Sequence, residues 1–328
     1  MHETPGTELR GKKRFRLIWR LALFFVFLLG ICLWFWITPN GLPLFGNPHA
    51  YWETRHGNLV GISEERREDE GSYRLDHVHV TSNSGLWVDL AIKRPLAPEP
   101  RPTVIILGGH RTGRQAVHLL EETEQTNIVA LDYPFKGNHR MKGFQVFRAL
   151  PQIRQGLYDC PPSIWLTLDY LLQQPYVDPE KIELVGVSLG APLVVPSGAL
   201  DKRISRVWAI EGGGDLYTLF NHNLQTKISL GPLRSCAASV AQLLLHTIAP
   251  ENWVSGIGPR PFVMINADQD ERIPKICVEA LYASAGEPKE LIWIPDNHVD
   301  PKRPDAIAVI FRLVMERVDP ERANPDVP

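Results

Sequence analysis

The sequence predicts an α/β protein: an eight-stranded, mostly parallel sheet with helices on both faces and a small cap, preceded by one transmembrane helix. Three observations predict it. Six short apolar runs are separated by helical stretches: TVIILGG (103–109), NIVALDYP (127–134), KIELVGVS (181–188), RVWAIEGG (206–213), PFVMINAD (261–268) and ELIWIPD (290–296). Uninterrupted apolar strands alternating with helices imply a parallel sheet covered on both sides. Before them, residues 74–82 and 86–94 alternate in polarity around Asn83-Ser84-Gly85 and read as an antiparallel hairpin. Finally, LALFFVFLLGICLWFWI (21–37) runs for seventeen residues without a charge.

The chain has 328 residues, enough for one large domain or two ordinary ones. Charged residues at 22 % and hydrophobic residues at 44 % exclude a largely disordered chain. Lys plus Arg (35) nearly balances Asp plus Glu (37), so no basic field argues for nucleic acid. Four Cys make no disulfide scaffold, and no Cys/His zinc spacing appears. If the domain lies outside the cytoplasm, Cys160, Cys236 and Cys277 permit at most one bridge, of unassigned pairing.

Charge is unevenly spread. Residues 1–20 hold six basic residues against Glu3 and Glu8, a net +4, which leaves −6 for the rest of a chain of net −2. The apolar stretch follows directly. With Leu17–Trp19 and a snorkelling Arg20 it reaches about 30 Å, one bilayer core. Trp34 and Trp36 suit the far interface, and the basic N-terminus stays in the cytoplasm by the positive-inside rule. No Ala-x-Ala site follows, and Ile31 stands where lipoprotein processing before Cys32 wants a small residue, so an uncleaved anchor is expected. The partition is then a basic cytoplasmic N-terminus (1–16), the anchor (17–37), a linker rich in Pro, Gly and charge (38–73), a periplasmic or extracellular domain (74–318) and a frayed tail (319–328). Within the domain, Ile164, Trp165, Leu168, Leu171 and Leu172 form a helical stripe. The interval 214–259 is too long for a crossover and is expected to cap the carboxyl edge of the sheet.

Ligands of open α/β sheets bind at the carboxyl ends of strands. One such end is Gly186-Val187-Ser188-Leu189-Gly190, between a buried strand and a helix, which matches the G-x-S-x-G elbow. A serine needs a base, and the base an orienting acid. His298, after the strand ELIWIPD, is the only histidine that follows the candidate acids. The acid is Asp268 or Asp270, both following PFVMINA. Asp268 closes the strand, whereas Asp270 reaches beyond it. The amides of Leu189 and His110 would face the oxyanion, with Gly108 and Gly109 admitting the close backbone approach this needs.

On these residues the chain from about 74 to 318 resembles the α/β-hydrolase family, in particular its dienelactone-hydrolase and prolyl-oligopeptidase-like esterase branches. The matching positions are Gly108-Gly109-His110, Asp132-Tyr133-Pro134, Asp178-Pro179-Glu180-Lys181-Ile182 leading into Gly186–Gly190, Asp270-x-x-Ile273-Pro274, and His298. The resemblance implies hydrolysis of an ester, thioester or amide through an acyl-enzyme, without cofactor or metal. The family acid stands three residues before a Val/Ile-Pro pair, which selects Asp270. The sequence departs from the family at Leu107, where His is usual, and at Ala191 and Ala267, where Gly is frequent.

Gly109, Arg111, Tyr133 and Glu211 are the expected lining of a pocket for a small or lipid-like acyl substrate, with the bilayer meeting 17–37. Trp208 fits core packing or substrate contact equally. His77 and His79, two apart on one strand face, have no evident third metal ligand. The functional expectation is a membrane-anchored serine esterase. A peptidase, an acyltransferase, or a non-catalytic binding protein on the same scaffold are the alternatives.

Overall fold

The computed structural model describes residues 6–109, 112–120, 125–135, 137, 141 and 143–318, without the side chains of 6–18, 20–22 and 70. It opens on α1 (Gly6–Ile37) and α2 (His49–His56), then a meander of β1 (Leu59–Glu70), β2 (Tyr73–Ser82) and β3 (Trp87–Pro95). β4 (Arg101–Leu107) and β5 (Asn127–Leu131) follow, then α3 (Phe144–Tyr158), α4 (Cys160–Leu171), β6 (Val177–Val187), α5 (Ala191–Leu200) and β7 (Arg206–Ile210). The rest is α6 (Leu216–Asn223), α7 (Gly231–Leu245), β8 (Phe262–Ala267), α8 (Lys275–Ser284), β9 (Lys289–Ile294) and α9 (Pro304–Val318). The strands form one sheet in the order β1-β2-β3-β5-β4-β6-β7-β8-β9. Pairing is antiparallel from β1 across to β5 and parallel from β5 to β9.

The sheet has nine strands, not eight. The additional strand is β1, drawn from the charged stretch expected to be a linker. A strand at the sheet edge needs no apolar face, and charge there discourages pairing with other molecules. Ion pairs fasten it instead: Arg67 to Asp76 (2.9 Å) and Arg74 to Asp69 (2.5 Å) link β1 with β2, and Arg114 reaches Glu65 (2.9 Å). The rest of 38–73 is also folded. Trp52 of α2 is fully buried, and its Nε1 donates to the Tyr158 carbonyl at 2.8 Å.

Period-two alternation splits the core between the two faces. Ile105 and Leu107 of β4 face α2, α4, α5 and α8, whereas Val104 and Ile106 face α9 and a 3-10 turn at Gly113–Leu119. The 214–259 segment is α6, α7 and a run of 3-10 turns. Its far end packs back into the core through Val254 and Ile257, both fully buried.

α1 is one 32-residue helix, and the described side chains from Leu23 to Phe35 are almost all exposed apolar groups. Among the described residues no helix is long and apolar enough to cross a membrane. For α1 these side chains are Trp19 and those from Leu23 onward, short of the roughly 20 residues a span needs. The helix is fastened at its C-terminus by Arg154 of α3, which is 1 % exposed. Its guanidinium donates to the carbonyls of Ile37 (2.9 Å), Leu244 (2.8 Å) and Pro43, placing a cation where the helix dipole favours one. Cys32, Cys160, Cys236 and Cys277 are all free thiols.

Candidate active site

The carboxyl end of β6 runs into the sharp turn Ser188–Gly190 and then α5. Ser188 has φ +53°, the left-handed region that a non-glycine residue adopts only under tertiary constraint. The glycines on either side permit that turn. A Cβ on Gly190 would collide with the Leu107 carbonyl, and one on Gly186 would lie 2.6 Å from the Gly190 carbonyl oxygen. The seryl hydroxyl is thereby held out from the strand ends, partly exposed.

Ser188 Oγ lies 2.8 Å from His298 Nε2, and His298 Nδ1 lies 2.7 Å from Asp270 Oδ2. His298 comes from the loop after β9 and Asp270 from the loop after β8, so three strand ends converge on one chain of hydrogen bonds. The amides of Arg272 (2.7 Å) and Ile273 (2.9 Å) donate to Asp270 Oδ1 and leave Oδ2 for the imidazole. Segment 214–259 braces this loop from outside: His222 Nε2 bonds the Glu271 carbonyl (2.9 Å) and Asn223 Nδ2 the Arg272 carbonyl (2.8 Å). Asp268, the other candidate acid, is exposed to solvent, and its amide continues the pairing with β9 by donating to the Ile294 carbonyl.

The expected pocket residues separate. Gly109 lies beside the serine, where a Cβ would stand 3.7 Å from that of Ser188. Tyr133 turns inward and donates its hydroxyl to the Gly108 carbonyl at 2.6 Å, supporting the loop rather than lining the pocket. His110 and Arg111 lie outside the described residues, so of the two expected oxyanion amides the described chain includes that of Leu189, directly after the serine. Trp208 is a core residue, its Nε1 donating to Glu183 at 2.6 Å. His79 bonds Asp89 at 2.6 Å across the β2–β3 pair.

Glu211 is the residue that sequence reasoning placed wrongly. It is not in the pocket wall but fully buried behind the imidazole, with Oε2 3.1 Å from His298 Nδ1. That oxygen also accepts from the Val299 amide at 2.6 Å, and the residue has φ +49° at the end of β7. His298 Nδ1 therefore faces two carboxylates. The available signal was a lone acid closing the apolar run RVWAI before Gly212, Gly213 and Gly214.

Burial pushes the Glu211 carboxyl up to about 7, with His298 and the Val299 amide opposing the rise. The sign of the stability effect follows. A carboxyl that holds its proton more tightly when folded contributes full stability below its ordinary value near 4.5, and that contribution is lost as pH rises to about 7. Glu211→Gln, neutral throughout, should gain on the wild-type protein across that window by several degrees in Tm, at about 2–4 °C per kcal/mol. Melting curves of both proteins at pH 5 and pH 8 check this. A Tm difference that is the same at both pH values would contradict a buried, late-titrating carboxyl.

A cavity of about 420 Å³ opens on Ser188, Gly109 and His298 and runs down between the sheet and α9. No residue of 214–259, the segment expected to cap the carboxyl edge of the sheet, lines it.

No family model matches the chain. Among curated proteins it is similar to the uncharacterized protein YfhR of Salmonella typhimurium, 22 % identical over 282 residues, covering 85 % of this chain and 88 % of that protein. Among solved structures it is similar to acetyl xylan esterase 1 from Thermoanaerobacterium sp., with a TM-score of 0.57, 16 % identity, and 81 % of this chain against 93 % of that one. It is also similar to the alpha/beta hydrolase GrgF from Penicillium sp., with a TM-score of 0.51, 15 % identity, and 79 % against 99 %. At these identities the likeness is one of fold, and the fold is that of the α/β hydrolases.

Proposed function

We propose that this protein is a serine esterase acting through an acyl-enzyme, anchored to a membrane by α1. The observation that carries the reading is the unbroken hydrogen-bonded series Ser188–His298–Asp270 at a strained strand-to-helix turn. In this mechanism His298 Nε2 takes the Ser188 proton as Oγ attacks the ester carbonyl. The Leu189 amide, with a second from the loop after β4, holds the oxyanion. His298 then gives the proton to the departing alcohol, and water repeats the cycle on the acyl-enzyme. Asp270 keeps the imidazole in the tautomer that accepts at Nε2.

A fluorophosphonate probe followed by peptide mapping tests the chemistry, with labelling expected on Ser188 alone. Labelling elsewhere, or none alongside full turnover of p-nitrophenyl acetate, would refute it.

For the anchor, support comes from the exposed apolar surface of α1 (Leu23 62 %, Phe25 66 %, Leu29 69 %, Phe35 71 %) and from the basic residues that precede it. Exposed apolar area on this scale is unfavourable in water. The positive-inside rule then puts residues 1–16 in the cytoplasm and the folded domain in the periplasm or outside the cell. A reporter that works only outside the cytoplasm should be active when fused after Pro328 and silent when placed before Lys12. The opposite pattern would overturn this topology.

A further inference from the structure

The cavity beside Ser188 points to a more specific substrate, and this inference rests on the esterase reading above. We infer that the acyl chain of the substrate descends between the sheet and α9, and that it is a straight alkyl chain of medium length.

The cavity walls are apolar. Val104 and Ile106 of β4 and Val185 of β6 form one side, and Ile310, Phe311 and Val314 of α9 the other. The polar lining side chains are Ser188, His298, Thr112 and Arg272. Ser188 and His298 hold the reacting atoms, Thr112 Oγ1 is bound to the Gly109 carbonyl at 2.7 Å, and Arg272 belongs to the acid loop. Protein interiors are close-packed, and an apolar void joined to a nucleophile is a ready ligand site. Among the described residues, the connection from β4 to β5 contributes the 3-10 turn Gly113–Leu119 to this face of the sheet, and Thr112, Ala116 and Leu119 line the cavity from there.

Two independent measures give the depth. Val185 precedes Ser188 by three residues of strand and near-strand, which is about 10 Å. α9 starts near the His298 loop and runs away from it, so Ile307 to Val314 along one helix face also spans about 10 Å. A depth of ~10 Å accepts an extended chain of about eight carbons. The chain must be the acyl part, because the cavity leads down from the serine that carries the acyl group while the leaving alcohol departs toward solvent.

The test uses two ester series on the full-length protein: p-nitrophenyl esters from acetate to dodecanoate, and alkyl acetates from ethyl to decyl. Each methylene removed from water should raise kcat/KM two- to fourfold. Over the six methylenes added from acetate, the acyl series should therefore climb by roughly 60- to 4,000-fold to a maximum near octanoate and then fall, with the alcohol series flat. Val314→Trp, which fills the floor, should lower the octanoate-to-acetate ratio of kcat/KM at least tenfold. A melting curve of the variant serves as the check on folding. Should the Trp variant not fold, Val314→Phe should shorten the preferred chain and Val314→Ala lengthen it.

A profile that declines from acetate upward, a peak in the alcohol series instead, or an optimum unmoved in these variants would overturn the acyl-channel inference alone. Absence of hydrolysis of every ester, with no fluorophosphonate labelling, would overturn the esterase reading and this inference together.

Discussion

Replacing Ser188 with alanine should abolish fluorophosphonate labelling and lower ester turnover by on the order of 10⁴–10⁶. The hydroxyl is the group that forms the covalent intermediate, so nothing else in the series substitutes for it. What survives should be the modest rate over water supplied by oxyanion contacts and binding alone. The variant should fold, because the removed atom is a partly exposed Oγ whose partner is His298, and alanine occupies the same left-handed backbone with no larger a side chain. His298 keeps its bond to Asp270 and its close approach to Glu211. Melting curves and turnover of the purified variant decide the matter: undiminished turnover in a folded Ser188→Ala protein would remove Ser188 from the mechanism.

Which features were legible in the sequence follows from how local their causes are. The parallel strands were readable because a strand buried on both faces must be apolar throughout, and that rule acts on five or six consecutive residues. The elbow was readable for the same reason, since its steric demand falls on Gly186 and Gly190, two residues either side of the serine. Asp270 was chosen over Asp268 partly on reach, and the structure leaves Asp268 exposed at the end of the pleat. β1 was not legible. Its EERREDE stretch has no apolar alternation, and its pairing rests on ion pairs with residues of β2 that cannot be matched in advance. Trp52 was absorbed into a supposed linker because its burial depends on Tyr158, more than a hundred residues away.

Two features of the site were not legible for a further reason: the void along α9, and the place of Glu211 behind His298 rather than in the pocket wall. Ile307, Ile310 and Val314 have the spacing of any helix face that packs on a sheet, so their periodicity is the same whether they meet side chains or a void. Glu211 closes a strand like many other acids. Its proximity to His298 arises only when β7, β8 and β9 lie side by side, with Asn266 Nδ2 donating to the Gly212 carbonyl at 3.0 Å to hold the turn.

That second carboxylate changes what is expected of Asp270→Asn. With Asp270 as the sole orienting acid, the substitution would cost on the order of 10⁴ in turnover, because asparagine presents an amide to Nδ1 and favours the wrong tautomer. Here Glu211 Oε2 stands 3.1 Å from the same nitrogen. Its rescue depends on charge. The carboxyl is pushed up to about 7 chiefly by burial, and Asp270 itself contributes to the rise, so removing the Asp270 charge moves it downward. Below that range Glu211 is neutral and cannot replace a carboxylate, and Asp270→Asn should lose nearly the full 10⁴. At pH 8 to 8.5 Glu211 is ionised, can accept a hydrogen bond from Nδ1–H, and should hold the loss to about 10². The informative quantity is the ratio of Asp270→Asn to the double variant Asp270→Asn/Glu211→Gln at each pH, because it cancels any pH dependence the two variants share. That ratio should be near one at pH 5.5 and on the order of 10² at pH 8.5, while Asp268→Asn stays within a few-fold of wild type throughout. A ratio near one at both pH values would show that Glu211 never serves as acid, and its place beside the imidazole would then be structural alone.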